Sequence, residues 1–231
     1  MQCNYFYKRK KKSTSVPATL ILLLNNSLTD SSPNNFSVSN NAGGSFSTTA
    51  KEGTNSYNTS SGGYAQVTNS QNNPLFDLAS DFTIEAWLYP TSTPSATSYW
   101  CGRTIWGLGF DSNDIEYACG LTSLTTATFY TGHRAASNNI VTTFSFASAA
   151  TLNSWNHIAI VRKNGVIKAY LNGIASGTTL ANASSLASNV GFFTVGGIFK
   201  NQTSSYLFPG LIDSFKLYSD KAMYTENFTP S

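Results

Sequence analysis

The chain has 231 residues, of which only 11% are charged, against about 25% in an average soluble domain. Aromatic residues make up 13% of the chain and the net charge is only +3, which together exclude a disordered chain. The sequence contains 32 Ser, 27 Thr and 23 Asn. Few Lys, Glu and Arg argue against a helical bundle or coiled coil, and this composition is instead typical of β-proteins with many turns.

The positive charge is concentrated near the N-terminus. Residues 13–231 hold nine cations and eleven anions, so the body of the chain has a net charge of −2. A basic face for nucleic acid is therefore not expected on the body. The basic run is open to three interpretations: a solvated arm, an anchor for an acidic partner or nucleic acid, or the start of a signal peptide with residues 16–24 as its apolar part. The run consists of Lys8, Arg9, Lys10, Lys11 and Lys12.

Short apolar or alternating runs separated by turn residues predict about a dozen strands. Residues 20–24 form a continuous apolar run, and residues 29–73 read as short strands joined by long loops. The best strand covers residues 81–89, where Phe82, Ile84, Ala86 and Leu88 face one side of the predicted sheet. No segment approaches the roughly 20 apolar residues that a helix needs to span a bilayer.

A hairpin is predicted from residues 105–110 and 115–118, because the tetrapeptide between them is rich in Asp, Asn and Ser. If Phe110 pairs with Ile115, Cys119 lies opposite Trp106 and not opposite Cys101. A disulfide between the two cysteines is then not expected, and with Cys3 they are interpreted as three free thiols.

The second half of the chain predicts further strands at residues 125–130, 139–146, 155–162, 166–171, 192–195 and 211–218. Asn164-Gly165 and Asn172-Gly173 are strong signals for tight hairpin turns. Residues 219–227 could hold a short turn of helix. With no longer amphipathic helix, the pattern predicts one all-β domain, an antiparallel sandwich or jelly roll.

Three segments resemble the laminin-G-like branch of the concanavalin-A-like jelly rolls. They are the opening strand with the turn Asp30-Ser-Ser32, the strand Asp81-Phe-Thr-Ile-Glu-Ala-Trp87, and a group of three motifs. The group consists of Trp155-Asn-His157, Tyr170-Leu-Asn-Gly173 and Gly210-Leu-Ile-Asp213. The resemblance spans about residues 20–230 and implies the fold more specifically than the function.

The end of the chain, Ala222-Met-Tyr224-Thr-Glu-Asn-Phe-Thr-Pro230, resembles a tail common in laminin-G-like domains of bacteriophage structural proteins. This resemblance implies a virion component on a tail, a fibre or the capsid exterior. We therefore expect a basic N-terminal arm at residues 1–19 that anchors the protein to other virion proteins, and a jelly-roll domain at residues 20–231.

The resemblance also implies that calcium is a candidate cofactor. Asp213 matches an acidic position of the family, and the corresponding first-strand position is Asn25 or Asn26, where an amide is a weaker ligand. Two other interpretations remain open: Asp213 ties the last strand to a loop through a hydrogen bond, and Asp30 caps its own turn.

Aromatic side chains beside hydroxyl groups suggest a glycan site. Tyr99, Trp100 and Trp106 lie near a Ser/Thr-rich loop and could stack on a sugar, although Trp100 and Trp106 could equally be core residues. His157 is expected to pack or hydrogen-bond in the core.

Catalysis is not expected, because no Glu-x-Asp-x-x-Glu motif exists to place two carboxylates against a sugar. The nearest acidic cluster, Asp111, Asp114 and Glu116, lies at a predicted turn, where Asp is favoured for backbone reasons.

The sequence thus predicts a non-enzymatic virion protein that uses its jelly roll for attachment or surface recognition. We expect it to belong to a homo-oligomer or a larger assembly, without a membrane or nucleic-acid partner. The alternative is a secreted or surface carbohydrate-binding module that recognises a cell-surface glycan, with or without calcium.

Overall fold

The computed structural model describes residues 19–95, 103–109, 115–132, 140–182, 184, 186, 191–198 and 206–231. The predicted basic run at residues 8–12, and Tyr99 and Trp100, lie outside these residues.

Fifteen strands are formed within the described residues. The first eight are β1 Thr19–Leu22, β2 Val38–Asn41, β3 Ser45–Ser47, β4 Ser56–Asn58, β5 Tyr64–Val67, β6 Phe82–Pro90, β7 Arg103–Gly109 and β8 Ile115–Leu121. The other seven are β9 Thr126–Thr131, β10 Ile140–Ser145, β11 Asn156–Lys163, β12 Val166–Leu171, β13 Ile174–Ala181, β14 Phe192–Val195 and β15 Gly210–Ser219. The 3₁₀ turn Pro74–Phe76 is the helical element that lies wholly within the described residues.

The strands form two antiparallel sheets that pack as a sandwich. Sheet A has the order β13-β12-β11-β6-β15-β4-β3, with β1 also paired to β15, and sheet B has the order β10-β9-β8-β7-β14-β5-β2. The inner faces of both sheets contribute to one large apolar core. The predicted all-β jelly-roll class is confirmed.

Strand β6 shows why alternation in the sequence predicts the core. Phe82, Ile84, Ala86 and Leu88 are each at most 1% exposed and belong to the core. The intervening residues face outward from sheet A, yet Thr83 and Glu85 are also buried. Sheet A is therefore covered on its outer face as well, and the cover is the end of the chain.

The two Asn-Gly turns are confirmed as the hairpin type that requires positive φ at both central residues. Asn164 and Gly165 have φ of 50° and 76°, and Asn172 and Gly173 have φ of 50° and 78°. In the β7–β8 hairpin, Trp106 lies opposite the buried Cys119 as predicted. The register is not regular, however, since Ile115 lies opposite Gly109, where Phe110 was expected, after a shift between Leu108 and Gly109.

Two local expectations differ from the structure. The strand at residues 20–24 ends at Leu22, because Leu24 has a left-handed φ of 57°. Strand β13 was not expected, because Gly and Ser weaken its β-propensity. It forms because the Asn172-Gly173 turn directs the chain back along β12.

The expected helical turn in residues 219–227 is wrong. Residues 220–231, here called the C-terminal strap, run without helix across the outer face of sheet A. The amide of Met223 donates to Thr83 Oγ1 at 2.8 Å, and the amide of Phe228 donates to Gly173 O at 3.0 Å. The side-chain oxygen of Asn227 accepts from the amide of Ala175. These contacts with the sheet replace helical hydrogen bonds.

Gly173 is where the strap meets the turn most closely. A Cβ atom at Gly173 would lie 1.8 Å from the carbonyl oxygen of Phe228, at a φ of +78°. We expect Gly173→Ala to lower the free energy of unfolding by about 1–3 kcal/mol, through clash and backbone strain. Chemical denaturation measures this change.

Gly177→Ala, on strand β13 just after this turn, is the control, because nothing lies within 4 Å of its Cβ position. It should be neutral or slightly stabilising. Equal losses in the two variants would show that the strap does not pack on the turn as described.

Candidate functional site

A pocket of about 200 Å³ opens at one end of the sandwich, between the two sheets. It lies where β4 and β6 have ended and where β7 and β15 begin. Four segments that are distant in sequence converge there. Its lining consists of Thr59, Ser60, Thr91, Ser92, Arg103, Leu207, Phe208 and Pro209.

Hydrogen bonds to main-chain carbonyls fix the floor and one wall of this pocket. The buried Thr59 hydroxyl donates to Phe208 O at 2.6 Å and reaches Gly210 O at 3.0 Å. Thr91 donates to Pro209 O through its amide at 2.9 Å and through its hydroxyl at 3.1 Å. The pocket is thus held between the ends of β6 and β15.

The pocket presents hydrogen-bonding groups without an acid–base pair. Ser60, Thr91 and Ser92 are exposed, and Arg103 is partly exposed. No Asp, Glu, His or Cys is among the lining residues that the structure describes. This arrangement can donate to and accept from a ligand rich in hydroxyl groups, and it supplies one positive charge.

The predicted sugar-stacking residues have different outcomes. Tyr99 and Trp100 lie outside the described residues, and in the sequence they precede Arg103, a lining residue of the pocket, by a few positions. Trp106 is 1% exposed in the core, where its ring packs against Tyr117, Phe129 and Phe193. The core interpretation therefore holds for Trp106, which offers no ring face to a ligand.

The two predicted calcium ligands both hold one loop. Asp213 is fully buried, and its Oδ2 accepts from the amides of Lys51 and Glu52 at 2.8 and 3.0 Å. The Oδ1 atom of Asn25 accepts from the amide and hydroxyl of Thr54, both at 2.9 Å, and from the amide of Asn55 at 3.0 Å.

This donor set does not fit calcium, because N–H and O–H groups point at the oxygens that would have to face the cation. Burial, with a contribution from the nearby Glu52, raises the pKa of Asp213 above its ordinary value despite the amide donors. Within the described ranges there is no cluster of three or more His, Cys, Asp or Glu residues suited to a metal. The hydrogen-bond interpretation of Asp213 is the one that the structure shows.

Asp30 caps its own turn, as the other open interpretation suggested. Its carboxylate accepts from the amides of Ser32 and Phe36 at 2.9 and 2.8 Å, and also from the amide of Ile21 at 3.0 Å. The carboxylate joins β1 to the turn that follows it.

His157 belongs to a buried cluster beneath the C-terminal strap. His157 Nε2 lies 3.2 Å from Glu85 Oε2, and the Tyr224 hydroxyl donates to the same oxygen at 2.7 Å. The ring of His157 meets Trp87 and Phe228 edge-on. The expectation that His157 packs in the interior is confirmed.

This environment lowers the pKa of Glu85. Burial alone would raise it, but hydrogen bonds from His157 and Tyr224 and the charge of Lys216 hold the pKa of Glu85 below its ordinary value. Burial and the Glu85 carboxylate together raise the pKa of Tyr224, so its hydroxyl stays protonated as a donor.

Sequence reasoning missed the residues that line the pocket. Arg103 had one usable signal, since it is one of only nine cations outside the basic run and follows an aromatic loop. Thr59, Ser60 and Thr91 had none, because hydroxyl residues occur throughout the chain.

Comparison with known proteins places the chain in a family. The model of the concanavalin A-like lectin/glucanase superfamily, in its laminin-G form, matches residues 59–226. The protein belongs to this family. No curated protein sequence matches it.

Solved structures share the fold at low identity. Domain 4 of AbnA, an extracellular arabinanase from Geobacillus stearothermophilus solved with arabinotriose, is 18% identical with a TM-score of 0.57, over 87% of this chain and 91% of that one. The CBM40 domain of the Ruminococcus gnavus IT-sialidase, bound to α2,3-sialyllactose, is 17% identical with a TM-score of 0.51, over 63% and 78%.

The binding domain of botulinum neurotoxin DC, in complex with SialylT, is 17% identical with a TM-score of 0.58 over 89% of this chain. The present chain spans about half of that domain, 48%. At these identities the likeness shows the fold. Among the described residues, no helix has the length and apolar character needed to cross a membrane.

The Glu85 cluster predicts a specific pH dependence of stability. A carboxylate whose pKa is lower in the folded state stabilises the fold above its unfolded pKa of about 4.3, and this contribution disappears as the pH falls through the folded pKa. We expect Glu85→Gln to lower the free energy of unfolding by about 1–3 kcal/mol at neutral pH, and by progressively less below about pH 4.

Denaturant titrations of the wild type and the variant over a pH series measure this difference. Glu226→Gln, in an exposed part of the strap, is the control and should change stability little at any pH. A Glu85→Gln difference that stays constant down to the lowest pH would contradict the coupling.

Proposed function

We propose that this protein is a non-catalytic recognition module that binds a glycan in the pocket at the end of the sandwich. The observation that carries the proposal is the lining itself, in which the hydroxyls of Ser60, Thr91 and Ser92 surround an opening that also contains Arg103. Sugar hydroxyl groups pair with such donors and acceptors.

The family and the structural neighbours support a binding role. Two neighbours were solved with an arabinotriose and a sialyllactose, respectively, and both are domains of larger proteins. Tyr99 and Trp100 remain the proposed stacking residues, because they precede the lining residue Arg103 closely in the sequence. Aromatic faces beside polar groups are the usual means of orienting a sugar.

A catalytic role is not proposed, because glycoside hydrolysis requires two carboxyl groups facing the scissile bond. The pocket lining contains no carboxylate in the part of the chain that is described. Glu85 and Asp213 lie elsewhere, buried and already hydrogen-bonded.

We further propose that the module works in a virion, on a tail, a fibre or the capsid exterior, where its glycan contact serves host attachment. The separation of charge supports this context, with five cations in residues 8–12 and a net −2 in the remainder. The basic arm would dock on other virion proteins. The alternative location is extracellular, as a secreted or surface glycan-binding module.

Glycan binding is tested on an array followed by calorimetry with the best oligosaccharide. We expect Arg103→Gln to weaken binding by about tenfold or more, since a hydrogen bond from a charged group contributes about 1.5–3 kcal/mol. Lys168→Gln, on the outer face of sheet A away from the pocket, is the matched control and should bind normally.

A flat array with folded wild-type protein would overturn the glycan proposal. A chelator such as EDTA should leave binding unchanged, because Asp213 and Asn25 are engaged by the loop. Loss of binding in EDTA would instead favour the calcium-dependent alternative.

The arm proposal is tested by deleting residues 1–12 and measuring incorporation into particles. We expect the truncated protein to fold but to be lost from purified particles, because the cations that dock on acidic partners are gone. Replacing the five basic residues by Gln should have the same effect at full length. Incorporation at normal stoichiometry in both cases would show that the arm is not the anchor.

A further inference from the structure

Strand β10 is the outermost strand of sheet B and pairs with β9. The amide of Phe146 continues this ladder by donating to Thr125 O at 2.9 Å. Hydrogen-bonded positions alternate along an antiparallel pair. The main-chain groups of Thr142 and Phe144 therefore face β9, whereas those of Val141, Thr143 and Ser145 point to the other edge, with which none of the described strands pairs.

This edge lacks the features that usually prevent strands from pairing with other chains. Residues 140–145 include no charged residue and no proline, although natural edge strands commonly carry one or the other. Ile140 and Val141 are 44% and 46% exposed. They are among six exposed large apolar side chains in the described residues.

An apolar pocket of about 240 Å³ lies beyond the end of the same strand. Phe146, Leu171 and Ile174 form its apolar wall, and Ile174 is itself 50% exposed at the start of β13. Strand β13 lies near β10 across the side of the sandwich but does not pair with it. The open edge and the pocket are therefore parts of one surface.

We propose that β10 pairs antiparallel with β10 of a second copy of this chain, about a two-fold axis at Thr143. In this register the open-edge groups of Val141 meet those of Ser145 in the second copy, and Thr143 meets its own equivalent. Ile140 lies opposite Phe146 of the second copy. Because residues 140, 144 and 146 share one face of the strand, each exposed Ile140 reaches the mouth of the other copy's apolar pocket.

The occupant is a second copy because the surface is complementary to itself. An exposed apolar side chain and an apolar pocket stand at opposite ends of one strand, at equal distances from Thr143. A two-fold axis therefore places Ile140 of each copy at the pocket of the other and pairs the β10 edges of both copies. The assembly closes as a dimer. The strand carries no charge that would meet its own like charge.

Sedimentation of the full chain tests the proposal. The wild type should have twice the 24.9 kDa mass of one chain, and Ile140→Lys should return it to a single chain with unchanged thermal stability of the monomer fold. Leu23→Lys is the matched control, since Leu23 is 41% exposed elsewhere, and it should remain a dimer. A wild type that stays monomeric up to its solubility limit would overturn the proposal.

A cysteine variant tests the register and does not depend on the Ile140 variant folding. Cα atoms of a hydrogen-bonded antiparallel pair lie about 5.5 Å apart, which is within disulfide range. Thr143→Cys should therefore form a disulfide-linked dimer on mild oxidation, whereas Thr179→Cys on the β13 edge should not. A dimer that cross-links only through Thr179→Cys, or through neither variant, would show that another surface is used.

Discussion

Buried charged side chains that are hydrogen-bonded to neighbouring segments of the chain fix the irregular parts of this sandwich. Asp30 holds the turn after β1, Asp213 holds the loop at residues 51–52, and Glu85 holds the C-terminal strap through Tyr224. Arg162 is the positively charged counterpart, since its buried guanidinium donates to the main-chain carbonyls of Leu78, Ser80 and Ser184. Because removing an ionised group from water is costly unless it is hydrogen-bonded, each such residue commits a nearby loop to one position.

This constraint determines which surfaces remain open for binding. The strap covers the outer face of sheet A with the stacked rings of Tyr224 and Phe228, whose centroids are 3.5 Å apart. The loop held by Asp213 places Lys51 over Trp87, with Nζ 4.0 Å from the ring centre. The pocket at the end of the sandwich keeps exposed hydroxyl groups instead. The glycan contact is therefore proposed at this pocket, which the loops leave uncovered.

Much of the fold is predictable from the sequence, because alternation and turn residues act locally. The inward face of β6 and the two Asn-Gly turns are examples. Counting residues along the β7–β8 hairpin predicts that Trp106 lies opposite Cys119, but it does not predict the shift that places Ile115 opposite Gly109. The strap is different. Residues 219–227 have no strong local preference, and contacts with Thr83, Gly173 and Ala175, all distant in sequence, determine their path.

The candidate site was less predictable for a related reason. Local alternation shows that Trp106 occupies one face of β7, but only the packing of the two sheets shows that this face is the core. The pocket combines residues near positions 59, 91, 103 and 208, which no local pattern connects. The resemblance to laminin-G-like domains correctly predicted the family, while the hydrogen bonds made by Asp213 had to be seen in three dimensions.

Mapping a bound sugar onto the chain tests the central claim most directly. Amide chemical shifts of ¹⁵N-labelled protein should be followed while an oligosaccharide is added. We expect saturating shifts concentrated at Ser60, Thr91, Ser92 and Arg103, with the strap unperturbed. Shifts concentrated on the outer face of sheet A, or no saturable shifts with any glycan tried, would contradict this claim.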